Sequence, residues 1–254
     1  MKDRVPLLQQ SPVETPLFQY PPAYLLVGGR GSRLGALCDD CPKPMLPVAN
    51  RPFLDIVVRY LYCQGTRHFV FLTGYKGDQV EAYWAQHPLP HARFDFVHET
   101  VPLGTGGAVS TAIARHPVPG LMIVANGDSL VPFHLNTLVH AAQKHAGAVL
   151  AVETEDTARF GTLDIDPENT LIAFREKTGH PGPGLVNAGI YCLQPFLFES
   201  LPLNRPLSIE KDLFPGWIAA GASFKIIPVK GPLLDIGTPQ SLASADEFIG
   251  NFEL

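Results

Sequence analysis

Between Ala23 and Val152 the chain alternates short, almost uninterrupted apolar runs with segments of helical periodicity, and this alternation constrains its fold more than any other feature. The runs are AYLLV (23–27), HFVFLT (68–73), FDFVH (94–98), LMIVA (121–125) and GAVLAV (147–152). They are too short for core helices, and a strand that is apolar at nearly every position must be covered on both faces. Helices are expected from Phe53 to Gln64, ended by Gly65, around Asp78–Gln86, from about Gly106 to Ala114, and around Leu135–His145. The pattern predicts an α/β fold, a mainly parallel sheet with helices on both faces. After Val152 the segments shorten to GTLDID, TLIAFRE, LVNAGIYCL, SFKIIPV and PLLDIG, read as a mixed sheet that elaborates the same domain.

Residues 1–22, rich in Pro and Gln and without periodicity, are expected as a flexible extension, and residues 23–254 as a single domain. A formal net charge of -5 argues against a nucleic-acid surface, which needs a basic stripe. Any phosphate bound should therefore be small and met locally. No stretch approaches the roughly 20 apolar residues of a membrane span. The start, MKDRVPLLQQSPVETP, lacks the apolar core of a signal peptide, so a cytoplasmic location and no membrane partner are expected. Cys38-x-x-Cys41 could be half a zinc site or a redox pair, but no second Cys or His pair stands at ligand spacing. The nine histidines are scattered, several beside prolines, and are read as surface residues.

Chemistry is expected beyond the carboxyl ends of the strands, where open α/β sheets bind ligands. The first such end reads LLVGGRGSRLGALCDDCPKPM. Gly28, Gly29 and Gly31 can take positive φ and bring backbone N–H groups to phosphate oxygens, and Arg33 and Lys43 add positive charge, the layout of a triphosphate site. Considered alone, GGRG is equally a tight turn after a buried strand. Pro42 and Pro44 hold Lys43 on a stiffened loop, expected to face solvent.

The other strand ends carry further candidates. Leu103-Gly104-Thr105-Gly106-Gly107 opens a helix and could lie flat against a planar base, or be a plain helix start. Asn126-Gly127-Asp128 could present a magnesium ligand or be a β-turn, and Asp235 repeats the arrangement after PLL. Glu176-Lys177 could meet a sugar and its phosphate or be a solvated charge pair. Asn187-Ala188-Gly189 could complete that pocket, its small residues leaving room for a ring.

In their order, GGRGSRL, PKPM, LGTGG, NGD, REK, NAG and DIGTP resemble the sugar-1-phosphate nucleotidylyltransferases, over essentially the whole chain from Ala23. Val27 and Ser32 stand where that family commonly has Ala and Thr, both small changes. The resemblance implies a Rossmann-like, nucleotide-diphospho-sugar transferase-like fold. It implies Arg33 on the leaving pyrophosphate and Lys43 on phosphate groups as the catalytic pair, and Mg²⁺ held by Asp128 and Asp235. Nucleotide binding falls to Gly28, Gly29, Gly31, Ser32, Gly104, Thr105 and Gly107, with Gly104 and Gly107 facing the base. Sugar-phosphate binding falls to Glu176, Lys177, Asn187 and Gly189.

The implied reaction joins a sugar 1-phosphate to a nucleoside monophosphate and releases pyrophosphate. The PKP context, VANGDS and SIEKDLFP (208–215) look most like the guanylyltransferase branch, implying GTP and a manno-configured heptose 1-phosphate as partners. Alternatives are a thymidylyl, cytidylyl or uridylyl transferase acting on a hexose 1-phosphate, or a non-catalytic regulatory relative. The latter would be expected to lose the charged residues that are present here. A dinucleotide oxidoreductase fits poorly, because the second strand ends Leu72-Thr73-Gly74 without the acidic residue that grips a ribose. The oligomeric state, a homo-oligomer included, is left open.

Overall fold

The computed structural model describes residues 20–175, 179 and 181–250. Nine strands form the central sheet: β1 (Ala23–Val27), β2 (His68–Thr73), β3 (Arg93–His98), β4 (Met122–Asn126), β5 (Gly147–Thr154), β6 (Thr162–Ile165), β7 (Leu171–Arg175), β8 (Gly184–Leu193) and β9 (Phe224–Lys230). The main helices are α1 (Phe53–Cys63), α2 (Gly77–Gln86), α3 (Gly104–Arg115), α4 (Leu135–Ala142), α5 (Phe214–Ala219), α6 (Pro239–Ala243) and α7 (Ala245–Gly250).

One edge-to-edge path runs β7-β6-β8-β4-β1-β2-β3, and β5 pairs with β8 on one side and β9 on the other. The run β4-β1-β2-β3 is parallel, whereas β8 lies antiparallel to β4 and β5. The sheet is the mixed, helix-covered one the apolar runs predict, except that PLLDIG does not join it: only Leu234–Asp235 are extended, and they pair with Ser129–Leu130 in a separate two-stranded ribbon.

Alternate residues of β1 explain why no polar position interrupts it. Ala23, Leu25 and Val27 pack with Leu54, Val58 and Leu61 of α1 on one face. Tyr24 packs with Ala108, Val109 and Ala112 of α3 on the other. Both faces are thus buried, and side chains of period 2 supply two separate cores. Helix α1 begins after Pro52 and is followed, past Gln64, by Gly65, whose φ of 109° is one that glycine adopts readily. The ring of Tyr20 lies against Gly65, and the Pro22 carbonyl accepts the Ile123 N–H at 2.9 Å, so the chain is already seated on the domain before β1.

Three histidines depart from the surface expectation: His145, half-buried with Nδ1 3.0 Å from Ser223 Oγ, and the pair His68 and His116. His68 Nε2 lies 2.7 Å and His116 Nδ1 3.5 Å from Asp95 Oδ2, with Arg93 at 2.9 Å, at the end of the sheet opposite the strand tips considered below. Among the described residues no helix is long and apolar enough to cross a membrane.

Candidate functional site

Because β1, β2, β3 and β4 run parallel, their carboxyl ends share one edge, and the chain leaves each of them through Gly28, Gly74, Glu99 and Asn126-Gly127. Gly74 permits close approach: a Cβ there would lie 2.8 Å from the Gly28 carbonyl oxygen. Gly127 is similarly confined against the Val27 side chain, and its N–H donates to the Leu26 carbonyl at 3.0 Å.

The turn after β1 is only partly what its glycines predict. Of Gly28, Gly29 and Gly31, only Gly31 has positive φ, at 68°. A Cβ on Gly31 would strike Cys38 Sγ and Lys43 Cβ, so this glycine makes room for the chain itself. A Cβ on Gly29 would meet nothing within 4 Å, which leaves that stretch of backbone open. Ser32 and Arg33 follow it, both exposed.

Lys43 is the largest correction to the sequence reading. It is buried, 6% exposed, and does not face solvent. Pro42 and Pro44 frame a short 3-10 turn that aims its ammonium inward, where Nζ lies 2.6 Å from Asp128 Oδ2 and 3.1 Å from Asp235 Oδ1. The two aspartates come from distant parts of the chain. They are joined by a short ribbon in which Asp235 pairs with Ser129 and the Ile236 N–H donates to the Asp128 carbonyl at 3.1 Å. Arg33 completes the cluster. A Cβ on Gly237 would sit 2.8 Å from Asp235 Oδ1, 3.1 Å from Lys43 Nζ and 3.2 Å from Arg33 Nη2, so all three charged groups surround that glycine.

Two carboxylates that converge on one cation offer hard oxygen ligands of the kind Mg²⁺ prefers, one or two from protein with the rest from phosphate and water. The donor set of Asp128 and Asp235 therefore fits that ion.

Beside the cluster opens a cavity of about 630 Å³, walled in part by Asn126, Phe160, Phe174, Asn187, Gly189 and Glu210. Gly189 has φ of 71°, and a Cβ there would collide with the Asn126 amide, so it is glycine on both counts. Its N–H donates to Asn187 Oδ1 at 3.0 Å. Asn187 and Gly189 are thus brought to the cavity as expected. Glu176 and Lys177 lie outside the described residues; Arg175, next to them in the chain, lines the cavity.

The second glycine turn has a reason within the chain itself. Cβ atoms on Gly104 and Gly107 would strike the carbonyl oxygens of Leu207 and Arg205, the former at 2.6 Å. The Gly106 N–H donates to the Leu207 carbonyl at 2.7 Å, and the Leu207 N–H to the Leu103 carbonyl at 2.9 Å. The chain's own 205–207 segment thus lies against the Cβ side of these glycines. Thr105 is engaged with Glu210, its hydroxyl 3.1 Å from Oε2.

Glu99 and Glu210 were not singled out from sequence, although each interrupts or follows an apolar run. Glu99 Oε2 accepts the Leu103 N–H at 3.0 Å, and Oε1 lies 3.5 Å from where a Gly28 Cβ would be. Burial pushes its carboxyl up, against the lowering effect of that N–H. The cysteines at 38 and 41 are free thiols, both pushed above the ordinary thiol value by burial.

The model of the nucleotidyl transferase family matches residues 23–251. D-glycero-alpha-D-manno-heptose 1-phosphate guanylyltransferase of Aneurinibacillus thermoaerophilus is 31% identical over 233 residues, 91% of this chain and 99% of that protein. Mannose-1-phosphate guanylyltransferase of Mycobacterium tuberculosis is 33% identical over 201 residues, 78% of this chain, which spans only 56% of that longer protein. Among solved structures, HddC from Yersinia pseudotuberculosis complexed with GMP-PN superposes with a TM-score of 0.81 at 30% identity, covering 90% of this chain and 99% of HddC.

Proposed function

The chain belongs to the nucleotidyl transferase family, and from that membership we propose that it transfers the nucleoside monophosphate of GTP to a sugar 1-phosphate, releasing pyrophosphate and forming a GDP-sugar. The observation that carries this reading is the charged cluster at the strand tips: Lys43 between Asp128 and Asp235 with Arg33 alongside, next to a cavity large enough for a sugar phosphate.

A phosphate monoester is largely ionised at neutral pH, its second pKa being about 6. Its oxygen can attack the α-phosphorus without a general base, so catalysis reduces to in-line positioning and charge neutralisation. Arg33 and Lys43 neutralise the phosphates and the leaving pyrophosphate. Mg²⁺, held by Asp128 and Asp235, supplies further neutralisation of the triphosphate when bound. The open backbone at Gly28-Gly29, with Gly31 and Ser32 after it, takes the nucleotide, and the turn through Gly104, Thr105 and Gly107, braced from behind by the 205–207 segment, frames that side of its site. Asn187 and Gly189 take the sugar phosphate together with Glu176 and Lys177.

Guanine is favoured by Glu99. A half-buried carboxylate beside a phosphate loop repels the ligand unless it meets donors, and guanine alone among the bases offers two adjacent N–H donors on its pairing edge. For the sugar we propose a manno-configured heptose 1-phosphate, in line with the near-full-length relative of that name. A cytoplasmic site of action accords with triphosphate substrates and with the free cysteines.

The test is a pyrophosphate-release screen of GTP, ATP, CTP, UTP and dTTP against a panel of sugar 1-phosphates. GTP with the heptose 1-phosphate should give the highest kcat/KM. A hydrogen-bonded base edge can discriminate by ~10⁴-fold, so comparable rates with dTTP or CTP would sink the guanine assignment. No release with any pair would sink the reaction itself.

A further inference from the structure

One wall of the cavity carries a hydrogen-bonded chain built on Glu210 and Tyr191, two residues that none of these roles uses. Glu210 stands on a π-helical turn, Ile209–Leu213, a distortion frequent at functional sites. Its Oε2 accepts from the hydroxyls of Thr105 at 3.1 Å and Ser208 at 2.8 Å, and its Oε1 from the Tyr191 hydroxyl at 2.9 Å. The Tyr191 oxygen accepts in turn from Asn187 Nδ2 at 2.7 Å. Tyr191 is fully buried, and burial together with the Glu210 carboxylate raises its phenol well above the ordinary value, so the hydroxyl keeps its proton.

The direction of this chain matters because an amide has a donor end and an acceptor end. An ionised carboxylate only accepts, so Tyr191 must donate to Glu210 and is left to accept from Asn187. Asn187 therefore turns its NH₂ to Tyr191 and its oxygen to the Gly189 N–H, leaving one N–H and one lone pair for the cavity. The same carboxylate also holds Thr105 at the start of α3, whose oxygen accepts the Ile209 N–H at 2.8 Å.

We propose that Glu210 is a positioning residue which, through Tyr191, fixes which end of the Asn187 amide meets the sugar phosphate and ties that orientation to the Thr105 turn on the nucleotide side. The inference rests on the nucleotidyl transfer reading of this cavity.

Tyr191→Phe removes the link while keeping the ring, which packs on Phe214 at 5.5 Å between centroids. The KM for the sugar 1-phosphate should rise about tenfold, the scale of one lost buried hydrogen bond. The KM for the nucleotide and kcat should change less than about twofold, the signature of lost ground-state binding at one substrate only. Glu210→Ala should raise the sugar KM as much and, because it also releases Thr105, the nucleotide KM as well. Glu210→Gln should restore the wild-type KM, since an amide oxygen still accepts from Tyr191 and the rotating hydroxyls of Thr105 and Ser208 accept from its NH₂. In sugar KM the double variant Tyr191→Phe/Glu210→Ala should be no worse than either single one. If Tyr191→Phe does not fold, the Ala and Gln variants at 210 decide the matter alone. Unchanged sugar KM in Tyr191→Phe and Glu210→Ala, parallel rises in both KM values with a lower Tm in Tyr191→Phe, or failure of Glu210→Gln to keep the wild-type KM values would overturn the proposal while wild-type turnover upholds the reaction. An inactive wild-type protein would remove the reaction and this inference together.

Discussion

The two glycine-rich turns at the edge of the sheet look alike in sequence and differ in what fills the missing side chains. At Gly29 a Cβ would meet nothing within 4 Å, and the exposed Arg33 reaches the Lys43, Asp128 and Asp235 cluster from that side. At Gly104 and Gly107 a Cβ would meet the chain's own carbonyls at Leu207 and Arg205. The first turn leaves backbone open to a ligand, and the second lets one segment of protein lie against another. Glycine stands in both, and sequence does not say whether the space it leaves is open or filled by the chain.

If the open turn carries the chemistry, its charged neighbours should give the largest effects on turnover. Lys43→Ala should lower kcat by at least about a hundredfold, the scale for removing a group aimed at transition-state charge. Near-normal activity in the purified, folded variant would break the contrast between the turns.

The closed turn should respond in stability. Gly107→Ala must displace the Arg205 backbone and should cost about 1–3 kcal/mol, read from denaturant unfolding with m unchanged. Gly29→Ala should change stability by no more than about 0.5 kcal/mol and instead raise the KM for the nucleotide. Equal destabilisation at both positions would erase the distinction.

Asp128→Asn and Asp235→Asn sharpen it further. Each should raise the Mg²⁺ concentration needed for half-maximal rate about tenfold, a scale on which even outer-shell partners tune metal affinity. Activity in excess EDTA would contradict the metal role.

The smallest effect belongs to the far end of the sheet. Burial alone would raise the Asp95 carboxyl, but hydrogen bonds from His68 and Arg93 outweigh it and hold the carboxyl below its ordinary value. The stability it contributes is present above the unfolded carboxyl pKa of about 3.9 and lost as pH falls through the lower folded value. Asp95→Asn should cost up to about 1 kcal/mol at neutral pH, with turnover unchanged, and flatten the acid limb of the stability curve.

The fold was legible because β1, β2, β4 and β5 are apolar on both faces, a pattern that only a sheet between two helical layers satisfies. Asp128 was legible as the polar residue just past a buried strand, and Gly189 as a small residue beside Asn187. The burial of Lys43 was not, because it depends on carboxylates delivered by a ribbon between segments far apart in the chain. Glu99 and Glu210 were missed for a related reason. A lone glutamate reads as a solvated charge until its partners, the Leu103 N–H or the hydroxyls of Thr105, Ser208 and Tyr191, are known in space.

Phosphorus NMR of the wild-type protein with GTP, Mg²⁺ and the manno-configured heptose 1-phosphate tests the central claim most directly. Transfer of the nucleoside monophosphate predicts that the signals of GTP and the sugar monoester fall together while a diphosphate esterified at both ends and inorganic pyrophosphate grow in equal amounts. Orthophosphate in place of pyrophosphate, or a spectrum unchanged by the protein, would contradict it.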